Sequence, residues 1–317
     1  MNRPALICIV GPTASGKSAV AVELAKSLDA EVVSADSMQV YRYLDIGTAK
    51  PSPPEMKHVP HHMIDAVNPD EDFTVSDYRE MAAGIIDDIH KRGKRVIIAG
   101  GTGLYVRALI KGLVDTPEAD KRLREELEEA AEKKGPLSLY RKLEEIDAEA
   151  ARGIHPNNRV RVIRALEVAM LSGRKISDFQ RSHRFSEKAY PFLMLGIDVE
   201  RDELYRRIES RVETMVENGF EREVRRLLDR GYSRDLKPMR AVGYKEMCAH
   251  IIDGVPFERT VELIKRDSRR YAKRQLTWFR KEEVQWLKRE AFAAEELRER
   301  LLSFVMHPEE WRESLLI

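Results

Sequence analysis

Short apolar runs alternate with amphipathic helical patterns over the first hundred residues of the chain. Residues 5–10, 31–35 and 94–99 have the continuous apolar character of buried strands, and residues 19–28 have helical spacing. Strands separated by helices are typical of an α/β fold, in which a parallel sheet is flanked by helices. The apolar positions therefore predict an α/β core.

The pattern becomes purely helical in the middle of the chain and then returns to strands. Leucines at roughly helical spacing over residues 115–149 indicate a helical insertion. Residues 192–199 predict a strand, amphipathic helices follow to about residue 280, and residues 284–287 predict a last strand.

A proline-rich loop is predicted at residues 50–56, and a short strand is predicted directly after it at residues 61–65. His61 and His62 are adjacent, so in a strand they point to opposite faces and do not share a metal ion. We expect a structural role for both histidines.

The composition is that of a folded protein of two domains. The chain has 317 residues, of which 43% are hydrophobic, too many for a disordered chain. We expect a P-loop α/β core with C-terminal helices, formed by residues 1–114 and 190–317, and a helical insertion domain at residues 115–189.

Cysteine usage and hydropathy exclude several classes of protein. Cys8 and Cys248 are far apart and form no CxxC pair, which excludes a cysteine-rich zinc module and a disulfide scaffold. No run of about 18 apolar residues is present, and the first apolar run has no cleavage site after it. We expect a cytoplasmic protein without a membrane span or signal peptide, and a monomer, because no coiled-coil seam is visible.

The formal net charge of +1 conceals a strong segregation of charge along the chain. Residues 115–149 carry twelve acidic and seven basic residues, whereas residues 152–184 carry eight basic and two acidic ones. Residues 265–281 carry eight basic residues and one acidic residue, interleaved with Tyr271 and Trp278. Basic residues mixed with aromatics suit phosphate contact and base stacking. The near-neutral net charge is therefore compatible with an RNA-binding surface confined to these segments.

A phosphate-loop motif, G-x-x-x-x-G-K-[ST], follows the first predicted strand and precedes the first helix, as the motif requires. It consists of Gly11, Pro12, Thr13, Ala14, Ser15, Gly16, Lys17 and Ser18. The glycines let backbone N–H groups face a polyphosphate, Lys17 supplies a charge, and the Ser18 hydroxyl is able to bind Mg²⁺. The motif does not say whether the phosphates belong to a nucleotide.

Two polar residues follow predicted strands, at the edge where α/β proteins bind ligands. Asp36 is placed to hold Mg²⁺ or to take a proton, although a helix-capping role is an alternative. The strand at residues 94–99 ends in a Gly-Gly-Thr-Gly turn without an acid, which argues against an ATP hydrolase but not against a small-molecule kinase. Thr102 in that turn offers a hydroxyl, and a tight turn without a ligand is the alternative.

Basic residues at helical spacing form further candidates. Arg161 and Arg164 share a helix face, and a solvated basic face is the alternative to RNA contact. Arg211 lies one turn after Arg207 and is able to reach an anion, although an ordinary surface pair has the same spacing. The break at residues 240–246 carries no chemistry that its pattern alone identifies.

Together, these segments resemble the tRNA dimethylallyltransferase (IPP transferase) family over nearly the whole chain. The resemblance lies in eight blocks in register: GPTASGKS, SADSMQVY, DIGTAKP, HHMID, AGGTGLY, HPNNRVRVIRALEV, RAVGYKE and AKRQLTWFR. It implies transfer of a dimethylallyl group from its diphosphate, with Mg²⁺, to the N6 amine of the adenosine 3′-adjacent to the anticodon in tRNAs that read codons beginning with U. Without a zinc finger, the chain resembles the shorter bacterial form.

The resemblance also implies roles for particular residues. The phosphate loop and Arg211 would grip the diphosphate, Asp36 would deprotonate the amine, and Thr102 would lie near the target adenosine. Contacts with the tRNA anticodon stem-loop are expected, from the resemblance and from the second basic cluster, at Asp36, Ser37, Met38, Gln39, Thr102, Arg124, Val160, Arg161, Val162, Ile163, Arg164, Lys273 and Arg274.

Three other functions remain open from the residues. A small-molecule or nucleotide kinase shares the strand and phosphate loop but leaves the basic helices unexplained. A non-catalytic RNA-binding protein with a relic phosphate loop, and a prenyltransferase acting on free adenine nucleotides, are the other two.

Overall fold

The computed structural model describes residues 3–135, 137–183 and 189–309. The chain forms two compact units: unit 1 is Met1–Ile110 with Ala189–Ile317, and unit 2 is Lys111–Lys188. The predicted insertion overlaps nearly all of unit 2 and starts four residues after it. Arg184, which ends the predicted basic stretch, lies outside the described residues.

Unit 1 is built on a six-stranded, wholly parallel sheet with the order β3-β2-β4-β1-β5-β6. Its strands are β1 (Leu6–Val10), β2 (Ala30–Ser34), β3 (His61–His62), β4 (Arg95–Gly100), β5 (Phe192–Asp198) and β6 (Gln285–Lys288). This confirms the predicted α/β class. The predicted strand at residues 61–65 is shorter than expected, because only its two histidines pair with β2.

Fourteen α-helices are present among the described residues. In chain order they are α1 (Lys17–Leu28), α2 (Pro53–Met56), α3 (Val75–Lys91), α4 (Gly103–Lys111), α5 (Lys121–Lys134), α6 (Ser138–Ile146), α7 (Ala148–Gly153), α8 (Arg159–Ser172), α9 (Ile176–His183), α10 (Arg201–Glu217), α11 (Phe220–Asp229), α12 (Tyr244–Asp253), α13 (Phe257–Phe279) and α14 (Glu295–Met306). Two short 3₁₀ helices are Pro238–Arg240 and Arg289–Ala293. No helix in the described part of the chain is long and apolar enough to cross a membrane.

The central strand β1 is buried on both faces, so it reads as a continuous apolar run rather than an alternating one. Leu6, Cys8 and Val10 pack into one core with residues of α3, α4 and α10–α13. Ile7 and Ile9 face the opposite core, which α1 and α14 cover. Helices on both faces leave the carboxyl ends of the strands as the open edge of the sheet.

The polar groups beside the sheet have structural partners. His62 Nε2 lies 2.7 Å from the Glu31 carboxylate, and His61 Nδ1 lies 2.8 Å from the Val59 carbonyl oxygen. These contacts agree with the structural role predicted for the histidines.

The two cysteines are free and buried, and burial raises the pKa of the Cys8 thiol to about 12.

Unit 2 consists of α5–α9 around a small apolar core of its own. Leu127 from α5, Leu143 from α6 and Leu166 from α8 are among its buried residues. The Asp147 carboxylate caps α7 by accepting the backbone N–H of Ala150 at 3.0 Å. The unit is therefore helical, as the leucine spacing indicates.

Candidate active site

The phosphate loop occupies the turn between β1 and α1. Three of its residues, Gly11, Ala14 and Gly16, have positive φ values of 144°, 63° and 94°. This backbone folds back at the start of α1, whose first N–H groups have no partner within the helix and suit an anion. The Lys17 ammonium donates to the Pro12 carbonyl oxygen at 2.6 Å, which holds its charge over the loop.

Arg211 brings a second positive charge from α10 to the same loop. Its Nη1 donates to Thr13 Oγ1 at 2.6 Å and its Nη2 to the Thr48 carbonyl oxygen at 3.1 Å. Burial lowers the pKa of Lys17 to about 8, against the opposing effect of Asp36, and Arg211 lowers it further. Burial also lowers the pKa of Arg211. An anion at this position would relieve the repulsion between the two cations.

The surface-pair interpretation applies to Arg207 and not to Arg211. Arg207 Nε donates to the Glu203 carboxylate at 2.8 Å on the same helix. Arg211 instead contacts two distant segments, and Asp36 opposes the lowering of its pKa.

Two hydroxyls of the phosphate loop are available to a ligand. Ser15 is fully buried, and its hydroxyl has no hydrogen-bond partner among the described residues. Ser18 is exposed at the first turn of α1. The loop therefore offers a hydroxyl inside it and another at its mouth.

Asp36 lies two residues after the end of β2, at the carboxyl edge of the sheet. Its Oδ1 accepts the backbone N–H groups of Met38 at 2.9 Å and Gln39 at 3.3 Å, which holds the turn at residues 37–40. The next helix begins only at Pro53, so the helix-capping alternative is wrong. Within the described chain, Oδ2 accepts no hydrogen bond. The same carboxylate can thus hold its own turn and offer a second oxygen to a substrate.

Thr102 joins the glycine turn after β4 to the turn that carries Asp36. Its backbone N–H donates to the Ala35 carbonyl oxygen at 3.1 Å, and its Oγ1 accepts the Ser37 N–H at 3.0 Å. The approach is close, since a β-carbon on Gly100 would lie 2.1 Å from the Ala35 carbonyl oxygen. Adjacent strands β2 and β4 thereby deliver the carboxylate and the hydroxyl side by side.

Helix α13 adds Tyr271 and Gln275, which were not among the predicted site residues. Gln275 is buried; its Oε1 accepts the Thr13 N–H at 2.8 Å and its Nε2 donates to the Gly101 carbonyl oxygen at 3.0 Å. Burial raises the pKa of the Tyr271 phenol, Asp36 raises it further, and hydrogen bonding with Thr102 and Gln275 opposes the shift. Gln275 lies within the block AKRQLTWFR and Tyr271 directly precedes it, but neither was predicted to be a site residue.

The predicted RNA contacts of unit 1 lie around this edge of the sheet. Lys273 and Arg274 are exposed on α13 directly before Gln275, and the Arg274 guanidinium lies 5.6 Å from the centre of the Tyr271 ring. Ser37, Met38 and Gln39 are partly buried. The Gln39 side-chain amide donates weakly to the Thr48 carbonyl oxygen at 3.4 Å.

The predicted RNA contacts of unit 2 form a separate group. Arg124 and Arg164 both pair with the Glu167 carboxylate, which is fully buried. Burial raises the pKa of Glu167, but hydrogen bonds from the two guanidinium groups outweigh burial and lower it. These arginines therefore have a structural task whether or not they bind RNA.

The stretch at residues 160–164 also presents two kinds of residue. Val162 and Ile163 are buried in the core of unit 2, so their side chains face the helices and not solvent. Val160 is 80% exposed, and Arg161 is exposed beside it. Any contact of this stretch with RNA falls on the exposed positions and on the partly exposed Arg164.

The doubly covered parallel sheet, the phosphate-loop motif between β1 and α1 and the two cations beside it define an α/β protein of the P-loop class. Residues 39–282 match the family model described as IPP transferase. The chain belongs to the IPP transferase family.

Named relatives and solved structures agree with this membership. The chain is 55% identical over 283 residues to "tRNA dimethylallyltransferase 2" of Geotalea uraniireducens, covering 89% of this chain and 91% of the relative. It is 53% identical over 287 residues to "tRNA dimethylallyltransferase" of Geobacter sulfurreducens, covering 90% and 92%.

The crystal structure of the tRNA isopentenylpyrophosphate transferase from Bacillus halodurans is similar with a TM-score of 0.72 and 43% identity, covering 98% of this chain and all of that one. A eukaryotic dimethylallyltransferase acting on tRNA has a TM-score of 0.79 and 26% identity, covering 96% of this chain and 79% of that one.

Proposed function

We propose that this protein transfers the dimethylallyl group of dimethylallyl diphosphate to the N6 amine of the adenosine 3′-adjacent to the anticodon, in tRNAs that read codons beginning with U. The observation that carries the proposal is the position of Asp36 and Thr102 at one edge of the sheet, where Thr102 Oγ1 accepts the N–H of Ser37, beside a phosphate loop with two cations. The names of the relatives support the same reaction. The tRNA anticodon stem-loop and the prenyl diphosphate are thus the proposed partners.

The proposed reaction is a displacement at the first carbon of the prenyl group. The adenine amine forms a new N–C bond as the C–O bond to diphosphate breaks, and the amine proton passes to Asp36 Oδ2. Adenine's amine is a poor nucleophile, so the carboxylate must lie within hydrogen-bond reach of it. Thr102 holds the turn that carries this carboxylate and offers its hydroxyl to the adenosine.

The residues around the phosphate loop stabilise the leaving diphosphate. Lys17, Arg211 and the N–H groups at the start of α1 surround the position where negative charge grows. Ser15 supplies a buried hydroxyl without a partner among the described residues. These groups are in place before the reaction, so little reorganisation is needed.

The proposed cofactor is Mg²⁺. The described residues contain no cluster of three His, Cys, Asp or Glu side chains suited to a metal ion. Magnesium often keeps several waters and binds through one or two protein oxygens plus substrate phosphates, and the exposed Ser18 hydroxyl fits that mode. When bound, the ion would neutralise charge on the diphosphate.

A base in the anticodon loop must leave its stack to reach Asp36, at a cost of about a few kcal/mol. The exposed Lys273 and Arg274 flank the site on α13 and are proposed to hold the RNA backbone while this happens. The exposed residues of unit 2, including Arg161, are proposed as further contacts. We also propose a monomer acting in the cytoplasm.

The test of the proposal is transfer of label from dimethylallyl diphosphate to unmodified tRNA in the presence of Mg²⁺, with Asp36→Asn as the key variant. Asparagine keeps an oxygen for the Met38 and Gln39 N–H groups but cannot take the proton. Loss of a general base should slow transfer by about 10²–10⁴-fold with tRNA affinity nearly unchanged. Asp88→Asn, which changes an exposed carboxylate on α3, is the matched control.

Other outcomes identify the other functions. ATP consumption without labelled RNA would mean a kinase, and labelling of AMP as fast as tRNA would mean a prenyltransferase of free nucleotides. Tight tRNA binding without any transfer would mean a non-catalytic RNA-binding protein. A large loss of tRNA affinity in Asp36→Asn with normal turnover of bound RNA would contradict the role of Asp36.

A further inference from the structure

One carboxylate accepts hydrogen bonds from three consecutive backbone N–H groups of the loop at residues 45–48. Glu223 on α11 accepts the N–H of Asp45 at 3.0 Å, of Ile46 at 2.7 Å and of Gly47 at 3.2 Å. The Tyr244 hydroxyl donates to the same carboxylate at 2.6 Å. Glu223 is buried, so these four donors replace its lost hydration and fix the loop in one conformation.

Packing fixes the same loop from a second direction. A β-carbon on Gly47 would lie 2.3 Å from the Phe220 ring and 2.6 Å from the Tyr244 ring. The two rings pack edge to face, with centroids 5.1 Å apart. Only glycine lets the backbone lie this close to the aromatic pair, so the loop has no room to shift toward it.

The last residue of the loop, Thr48, is hydrogen-bonded to Arg211, the residue proposed to bind the diphosphate. Thr48 Oγ1 donates to the Leu44 carbonyl oxygen at 2.6 Å, which closes the loop, and the Thr48 carbonyl oxygen accepts Arg211 Nη2 at 3.1 Å. The other end of the Arg211 guanidinium donates to Thr13 in the phosphate loop. A continuous chain of hydrogen bonds and backbone therefore runs from Tyr244 and Glu223 to the phosphate loop.

We infer that Glu223, held by Tyr244, is a positioning residue that orients Arg211 toward the diphosphate through the Thr48 carbonyl. Tyr244 lies in the break between helices at residues 240–246, for which the sequence pattern alone predicted no role. Its proposed role is to hold the Glu223 carboxylate. The inference rests on the proposed role of Arg211 as a diphosphate ligand. The hydrogen bonds of Glu223 go to the loop and to Tyr244, so its proposed effect passes through the Thr48 carbonyl to Arg211.

The test is a double-mutant cycle between Glu223→Gln and Arg211→Gln, with inorganic pyrophosphate and Mg²⁺ as the probe. Glutamine keeps the size of Glu223 but turns an NH₂ group toward N–H donors, so the loop loses at least one bond. We expect the Kd for pyrophosphate to rise about 10-fold in Glu223→Gln alone and to stay unchanged when Glu223→Gln is added to Arg211→Gln. Calorimetric titration measures both.

Controls separate positioning from a general loss of structure. Glu221→Gln removes a neighbouring carboxylate on α11 that pairs with exposed Arg225, and it should leave the Kd unchanged. Tyr244→Phe keeps the ring that packs on Gly47 but removes one donor, so it should weaken pyrophosphate binding by about 2- to 3-fold, within the usual contribution of one hydrogen bond. If Glu223→Gln does not fold, the same cycle is run with Tyr244→Phe.

Independent effects of the two substitutions, each weakening pyrophosphate binding in full, would overturn the positioning role while leaving the proposed reaction intact. Unchanged pyrophosphate binding in Arg211→Gln would instead contradict the proposed diphosphate site, and the positioning role with it. Labelling of tRNA by the unaltered protein distinguishes these failures from failure of the proposed function itself.

Discussion

At the scale of single residues, Lys17 and Arg211 are two partly buried cations held against the phosphate loop with Asp36 as the nearby opposite charge. Burial and Arg211 give Lys17 a pKa of about 8, so above that pH the free protein has a neutral Lys17. A bound diphosphate favours the ammonium and raises its pKa again. Binding of the anion is therefore coupled to uptake of a proton.

Binding of pyrophosphate at high pH tests this coupling. At pH about 9, binding of pyrophosphate should take up close to one proton more in the unaltered protein than in Lys17→Arg, because arginine stays charged throughout. Calorimetry in two buffers of different ionisation enthalpy measures the difference, and ionisation of pyrophosphate itself is common to both proteins. Equal proton uptake would show that Lys17 is already charged at this pH.

At the scale of elements, α13 connects two loops that are far apart in sequence. Through Gln275 it accepts from the phosphate loop after β1 and donates to the glycine turn after β4. Helix α13 therefore links the phosphate loop to the glycine turn at the carboxyl edge of the sheet. Neither bond belongs to the regular hydrogen bonding of a strand or helix.

We expect Gln275→Leu to lower the free energy of unfolding by about 2–4 kcal/mol, because it leaves the Thr13 N–H and the Gly101 carbonyl without partners at a buried position. Urea denaturation measures the change. Thr277→Ala, at an exposed position on the same helix, should change stability by less than about 0.5 kcal/mol. A change as small for Gln275→Leu would mean that water satisfies both groups.

At the scale of the whole molecule, a chain that is almost neutral places unlike charges on different segments. Among the basic residues, many are engaged: Arg124 and Arg164 neutralise Glu167, and Arg269 pairs with Glu209. Lys273 and Arg274 remain exposed beside the candidate site. Charge at this edge of the sheet, more than total charge, should govern RNA binding.

Replacing both Lys273 and Arg274 with glutamine should weaken binding of unmodified tRNA and reduce the slope of log K against log salt by about 1.5, if each contacts one phosphate. Fluorescence anisotropy over a range of salt concentrations gives the slope. Lys91→Gln with Lys94→Gln removes the same charge near the start of β4, at the opposite edge of the sheet, and should leave the slope unchanged. Equal slopes for all three proteins would contradict RNA contact at α13.

Part of the fold and of the candidate site could be predicted from the sequence because it depends on local patterns and on the parallel sheet. Apolar runs and glycines located β1, β2 and β4, since a buried strand and the turn after it are local patterns. They placed Asp36 and Thr102 at one edge because carboxyl ends of parallel strands share an edge. Local patterns could not identify Glu223 or Gln275, whose partners lie 178 and 262 residues away in the chain.

Charge patterns were informative about segments but not about individual side chains. Arg124 and Arg164 look like free basic residues in the sequence, and only the fold shows that Glu167 lies buried between them. Val162 and Ile163 share a stretch with Arg161, yet helical geometry turns them toward the core of unit 2. Arg164 and Glu167 are three residues apart on one helix, which spacing allows, whereas the pairing of Arg124 with Glu167 and the burial of that carboxylate depend on tertiary packing.

The strand order also has a consequence for synthesis of the protein. β1 emerges from the ribosome first, but its neighbours in the sheet are β4 and β5, and β5 begins only at Phe192. At about 5–20 residues per second, the central strand waits roughly 10–40 s for its second partner. Gln275, which accepts the N–H of Thr13, is synthesised later still. The phosphate loop is therefore among the first segments made, but it gains this hydrogen bond only after most of the chain has been synthesised.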